Sequence, residues 1–176
     1  MASLSLTKIL ILFLFTLLFS ISNADSSPPY KLVDKVCSKL QDVDFCWQIL
    51  QCDIRSKFAE NITILSTIAF DVTIKQVNSS RDLLRGLKTG SPGVLKSLKD
   101  CIHAYSHVMS NLKLSKSKED CSFISYHIQA AVEEIKRCQR IVDSNGAHGS
   151  FITNDNDVNE EACWLCESLA NLMCKS

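Results

Sequence analysis

The chain has 176 residues, 46% hydrophobic, 22% charged and only 7% aromatic, with 19 Lys+Arg against 19 Asp+Glu. A formal charge of zero excludes the Lys/Arg surplus that a nucleic-acid binder needs to displace counterions, and it excludes a polybasic membrane-surface domain. Five Gly and three Pro argue against a Gly-rich phosphate cradle or a many-turned sandwich, while nine Cys make the redox compartment the first question.

Met1 to Ser20 carries one charge, Lys8, ahead of an apolar run from Ile9 to Phe19. Ser22 and Ala24 are small residues followed by polar Asp25-Ser26-Ser27. This pattern reads as the n-region, h-region and cleavage site of a secretory leader. The competing reading is a membrane anchor, but the run falls short of the about 20 apolar residues that span a bilayer. The expectation is a signal peptide over 1–24 and a single secreted domain over 25–176, with no membrane contact after cleavage. A domain of this size buries a substantial core, roughly 70% of its unfolded surface. In an oxidising route disulfides are the default, and an odd cysteine count leaves at least one thiol free or paired with another chain. Asn61-Ile62-Thr63 and Asn78-Ser79-Ser80 are N-glycan acceptor patterns, usable where the Asn faces solvent.

Pro28-Pro29 opens a short helical segment over Tyr30 to Leu40, since Pro suits a first helical turn. Asp42 can cap a second short helix, Val43 to Gln51. Cys37 and Cys46 fall one in each, and a bridge between them would staple this 25–52 hairpin by roughly 3 kcal/mol in the chain-entropy model. Without it, helices so short are marginal in water. Residues 53–88 form the first long segment of the remaining 53–176 region. There Phe58, Ile62, Leu65, Ala69 and Val72 step by alternating fours and threes, Leu83, Leu84 and Leu87 continue the pattern, and Gly90 can end it. Its β-branched residues favour a strand, yet nothing alternates with period two.

Ser91-Pro92 is a cap followed by Pro at the first helical position. Behind it Val94, Leu98, Cys101, Tyr105, Val108 and Leu112 keep one helical face. Ser117 with Asp120 resembles a capping box with Asp in place of Glu. Cys121, Ile124, Ile128, Ala131, Ile135, Cys138 and Val142 draw the next seam, which Asn145-Gly146 stops. A polar loop is expected from Gly149 to Asp155. Asp157 with Glu160 then starts a last helix on Val158, Ala162, Leu165, Leu169 and Leu172. Four long amphipathic segments with short connections predict an all-α, antiparallel four-helix bundle carrying a short N-terminal helical hairpin.

Cys101 and Cys138 lie on the seams of consecutive, hence facing, helices, within reach of a disulfide. Such a bridge closes a loop of about 38 residues and contributes roughly 4 kcal/mol in the entropy model. Cys163-Trp164-Leu165-Cys166 is a CxxC. A thioredoxin-like redox reading needs a βαβ context that is not apparent, and a zinc reading needs two further ligands that no second CxxC or HxxxH pair supplies. On a helical wheel Cys163 and Cys174 share a side away from the Leu seam; they can bridge to Cys52 or Cys121 or stay unpaired. His103 and His107 share a helical face and His127 lies on the next helix, a pattern more often solvated surface than a metal pair. There is no HExxH, no GxSxG and no Walker loop. The chain reads as a binding protein with no catalytic residues, metal or cofactor of its own.

Val36-Cys37, Asp42, Asp44-Phe45-Cys46 and Leu50 form one recognisable set. Leu98-Lys99-Asp100-Cys101 with Tyr105, Val108 and Leu112 forms a second, and Ala130-Ala131-Val132 with Cys138 a third. Together they make the chain resemble the plant invertase and pectin methylesterase inhibitor family over essentially all of residues 25–176. The resemblance implies a helical hairpin, a four-helix bundle, and bridges Cys37–Cys46 and Cys101–Cys138. It departs from the family's pattern at Leu40, Val43 and His103, where Thr, Pro and Glu are frequent, and in its cysteine total. Some invertase inhibitors of the family carry Pro-Lys-Phe between the last two helices. Its absence here tilts the implied target toward pectin methylesterase over invertase. The implied action is stoichiometric occlusion of the target's cleft by the bundle in the apoplast. Polar residues of the second and third bundle helices, His103, His107, Gln129 and Glu133, are the candidate contacts. The rivals are a non-inhibitory secreted signalling bundle, a carrier for an apolar ligand, which would need a hollow core, and a redox protein using Cys163 and Cys166.

Overall fold

The computed structural model describes residues 30–88, 90–144 and 150–175. The leader expected at 1–24, Pro28-Pro29 and the Asn145-Gly146 stop lie outside them. Every regular element among the described residues is helical: α1 Lys31–Cys37, α2 Val43–Gln51, α3 Ile62–Gly86, α4 Pro92–Lys116, α5 Cys121–Ser144 and α6 Ser150–Cys174, with a 3-10 turn at Ile54–Phe58 between α2 and α3.

The four long helices close a ring in which α3 packs on α4, α4 on α5, α5 on α6 and α6 back on α3. Cross-contacts fix their directions. Cys101 with Cys138 and Ser115 with Ile124 set α4 antiparallel to α5. Gln139 with Thr153 and Ser125 with Glu167 do the same for α5 and α6. Ser80 with Asn159 and Thr73 with Cys166 do so for α3 and α6. Leu98, Cys101, Tyr105, Val108 and Leu112 of α4 face Ile124, Ile128, Ala131, Ile135, Cys138 and Val142 of α5, all buried, as the seam of a bundle requires.

The short hairpin is held in three ways. Cys37 and Cys46 are joined, with Cα atoms 5.6 Å apart. Trp47 Nε1 donates to Asp34 Oδ1 at 3.0 Å, and the Tyr30 and Trp47 rings lie 5.4 Å apart. Val33, Cys37, Cys46 and Leu50 are fully buried in the common core, so the hairpin is packed rather than dangling. The 3-10 turn is fastened by charge: Arg55 reaches both Asp53 and Asp71, and Lys116 from the end of α4 also pairs with Asp71.

Several expected boundaries move, each for a local reason. The 53–88 segment is not one helix. Asp53 caps the 3-10 turn by accepting from the Arg55 N–H, and Asn61 caps α3 by accepting from the Ile64 N–H at 3.0 Å. Phe58, placed on the apolar stripe, is 70% exposed on that turn. The capping residue of α5 is Asp120, whose Oδ1 accepts from the Ser122 and Phe123 N–H groups, while Ser117 ends α4. The stretch expected as a polar loop up to Asp155 is the first part of α6, and Val158 faces solvent. Gly90 lies beyond the end of α3, at φ 149°, where a Cβ would meet Val94 Cγ1 at 2.9 Å.

The α6 seam holds at Ala162, Leu165 and Leu169 and departs from expectation at its start, where the buried positions are Asn156 and Asn159 in place of Val158. Tyr105 Oη donates to Asn156 Oδ1 at 2.7 Å, and Asn156 Nδ2 donates to Gln139 Oε1 at 2.7 Å. Asn159 Nδ2 donates to Ser80 Oγ at 2.9 Å and to Tyr105 Oη at 3.1 Å. A single network thus touches all four bundle helices. Burial drives the Tyr105 phenol well above its ordinary range, so it stays a neutral donor.

Candidate functional site

The surface of the α4–α5 pair carries the polar residues singled out from the sequence. Ser91 caps α4, accepting from the Val94 N–H, and Pro92 occupies the first turn. The pair is clamped at Cys101–Cys138, with Cα atoms 4.7 Å apart, so the outward faces of both helices hold a fixed register.

His103 and His107 are exposed one turn apart on α4, with ring centroids 4.5 Å from each other. Gln129 and Glu133 are exposed on α5. Gln129 Nε2 donates to Ser125 Oγ at 3.3 Å, and the Glu133 carboxylate lies 4.0 Å from Arg140. The contacts of each pair stay within its own helix, so the four residues do not assemble into one cluster. They are points on a broad face, which suits contact with a large partner and supplies no catalytic geometry.

Closer to the α4–α5 turn lies a group of which the sequence reading named only His127. His127 Nδ1 meets Asn111 Oδ1 at 2.8 Å across the two helices, and Asn111 Nδ2 donates to the His107 carbonyl at 3.1 Å. The His127 ring lies 4.3 Å from Phe123 and 5.2 Å from Tyr126, Lys118 lies over Phe123, and Tyr126 is 69% exposed. An exposed aromatic edge of this kind is a typical anchor in protein interfaces. Its signal was present in the sequence: aromatic residues at 123, 126 and 127 fall off the seam of α5.

The cysteines not assigned from the sequence separate cleanly. Cys121 is bridged to Cys174, which ties the start of α5 to the end of α6. Cys52 is an exposed free thiol. Cys163 and Cys166 are free and fully buried in α6, with Cys166 Sγ 3.3 Å from Thr73 Oγ1. Burial pushes the Cys166 thiol up to about 12 and the Cys163 thiol well above its ordinary value. A redox motif needs an accessible thiolate, so this CxxC is core packing. The two glycan acceptors also differ: Asn61 is exposed at its cap, whereas Asn78 is half-buried in mid-helix, donating to Asp82 at 3.0 Å and accepting from Arg81 at 2.6 Å.

No group of three or more His, Cys, Asp or Glu among the described residues is arranged to hold a metal ion. No described helix is long and apolar enough to cross a membrane.

Comparison with known proteins places this arrangement. Residues 31–164 match the family model described as plant invertase/pectin methylesterase inhibitor. Curated proteins give no match. Among solved structures, a mutant form of a pectin methylesterase inhibitor from Arabidopsis superposes with a TM-score of 0.65 at 19% identity, covering 79% of this chain and 95% of that one. A pectin methylesterase inhibitor from Arabidopsis thaliana superposes with a TM-score of 0.59 at 19% identity, covering 84% and 96%.

Proposed function

The chain belongs to the plant invertase/pectin methylesterase inhibitor family, whose members are inhibitors and not enzymes, and from that premise we propose that it inhibits a pectin methylesterase. It acts after secretion, in the apoplast, by forming a stoichiometric 1:1 complex that blocks the enzyme's substrate cleft. The observation that carries this reading is the α4–α5 pair: two long helices locked by Cys101–Cys138 that present a rigid, polar face with an aromatic edge. A rigid face loses little conformational entropy on docking. A stable complex covers roughly 1,600 Å² in total, which two parallel-faced helices of this length can supply. His103, His107, Gln129 and Glu133 lie on this face, and Tyr126 with Phe123 provides the apolar anchor at its edge.

The absence of a Pro-Lys-Phe tripeptide between Ser144 and Ser150 supports pectin methylesterase over invertase as the target. The test is direct. Purified oxidised protein is titrated against plant pectin methylesterase and against cell-wall invertase, with pectin demethylation and sucrose cleavage as readouts. Linear loss of demethylation to an equivalence point is expected, with sucrose cleavage unchanged. Loss of sucrose cleavage alone would move the target to invertase, and no effect on either would leave a non-inhibitory binding protein. Tyr126→Ala is expected to weaken the complex by about 2 kcal/mol, roughly thirtyfold in Kd.

A further inference from the structure

A groove of about 490 Å³ lies outside the α4–α5 face, between the α1–α2 turn and α6. Leu40, Phe45 and Leu165 form its apolar lining together with the half-exposed ring of Trp164. The indole Nε1 donates to Glu160 Oε1 at 3.3 Å, which holds the ring on the helix surface. Gln41, Ser168 and two exposed carboxylates, Asp42 and Glu161, complete the lining, and no Lys or Arg joins them. Asp42 is positioned by its capping role, with Oδ1 accepting from the Phe45 N–H at 2.9 Å. Neither carboxylate takes part in an ion pair among the described residues. A second groove at the hairpin, about 230 Å³, carries Lys35 and Lys39 beside Leu32, Val36, Ile62 and Leu172.

We propose that the α2–α6 groove is a docking slot for a cationic side chain, arginine above all, carried with an apolar neighbour on a segment of a partner protein. Three features of the lining select this occupant. Two unpaired carboxylates attract a cation at close range. The indole face adds a cation–π contact, strongest with a planar guanidinium. The apolar lining takes a hydrophobic neighbour, and the volume exceeds what one side chain fills. The same two carboxylates repel a uronic acid, so the slot does not suit the sugar acid of pectin. Helix α6 is diagonal to α4 across the bundle, so a partner seated here leaves the His103–His107 face open.

The experiment uses the full oxidised chain and the fluorescence of its tryptophans. The probes are blocked tripeptide amides, Leu-Arg-Leu, Leu-Gln-Leu and Leu-Glu-Leu, with a neutral maltose oligomer and a galacturonate oligomer as the saccharide arms. Leu-Arg-Leu is expected to shift the emission saturably in the millimolar range or tighter, weakening as salt rises. Glu161→Gln, on the exposed surface, is expected to weaken that binding by about threefold or more with an unchanged far-ultraviolet spectrum. Trp164→Phe is expected to remove the shift while Trp47 still emits. Equal response to Leu-Arg-Leu and Leu-Gln-Leu, indifference to Glu161→Gln, or saturable binding of either saccharide in place of the arginine peptide would each overturn the proposal. None of these outcomes depends on whether the chain inhibits pectin methylesterase.

Discussion

The two sides of the bundle are sealed by different chemistry. Between α4 and α5 the seam is apolar, with Leu98, Val108, Leu112, Ile124, Ile128 and Ile135 around the Cys101–Cys138 link. On the α6 side the seam is partly polar, with Asn156, Asn159, Tyr105, Ser80 and Gln139 joined in one hydrogen-bonded network. The first side gains stability from area and from a constrained unfolded chain. The second gains a register, because a one-turn slip of α6 would leave buried amides without partners. The face proposed to bind the enzyme is built on the first, stiffer side.

Removing the covalent clamp should have the largest effect. Cys101→Ala with Cys138→Ala is expected to lower unfolding free energy by about 4 kcal/mol, read by urea titration, and to weaken inhibition along with it. A loss of about 1 kcal/mol or less would show that the apolar seam alone supplies the stiffness. Cutting the polar network comes next. Asn159→Ala removes the amide that donates to the Ser80 and Tyr105 hydroxyls, which keep their own bonds to the Gln76 carbonyl and to Asn156, and should cost about 2 kcal/mol, with inhibition intact at a temperature where the variant stays folded. Tyr105→Phe removes only the hydroxyl, at about 1–2 kcal/mol, and the comparison with Asn159→Ala tests whether the network acts as a unit.

The smallest effect is expected at the fastening of the 3-10 turn. Partial burial raises the Asp71 carboxyl, but the Lys116 and Arg55 contacts outweigh it and hold the group below the usual carboxylate range. The stability it contributes is therefore present above its unfolded pKa and is lost as pH falls through the lower folded value. Asp71→Asn should cost about 0.5–1 kcal/mol near neutrality, given partial solvent screening. That difference from wild type should shrink below about pH 4. Alkylation separates core from surface without mutation. At pH 8 the native chain should react at Cys52 alone, and the unfolded, unreduced chain should expose Cys163 and Cys166 as well.

Legibility in the sequence followed the same division. The seams of α4 and α5 could be read because most of their buried positions are apolar and evenly stepped, with buried Ser97 and Ser115 the exceptions. Those of α3 and α6 were read in part: Leu65, Ala69, Leu84, Ala162, Leu165 and Leu169 are buried as expected, but Thr73, Ser80, Asn156 and Asn159 are buried and polar, and a polar residue reads as solvent until its partner on another helix is known. Asn61 illustrates a second limit. It was read only as a glycan acceptor, while its side chain also starts α3. A helical wheel assigned Cys174 a side but could not choose between Cys121 and Cys52, because that choice depends on how the helix ends meet. On the candidate face, periodicity separated outward from inward residues. It could not show that His127 reaches across to Asn111, a contact between two helices.

The links Cys101–Cys138 and Cys121–Cys174 interlace along the chain, the second starting inside the span of the first and ending beyond it. A single scission of the backbone anywhere between Cys101 and Cys174 therefore leaves both fragments joined by sulfur. A molecule nicked once by a protease within this stretch keeps its pieces in place and its working surface assembled until a second cut or a reductant arrives.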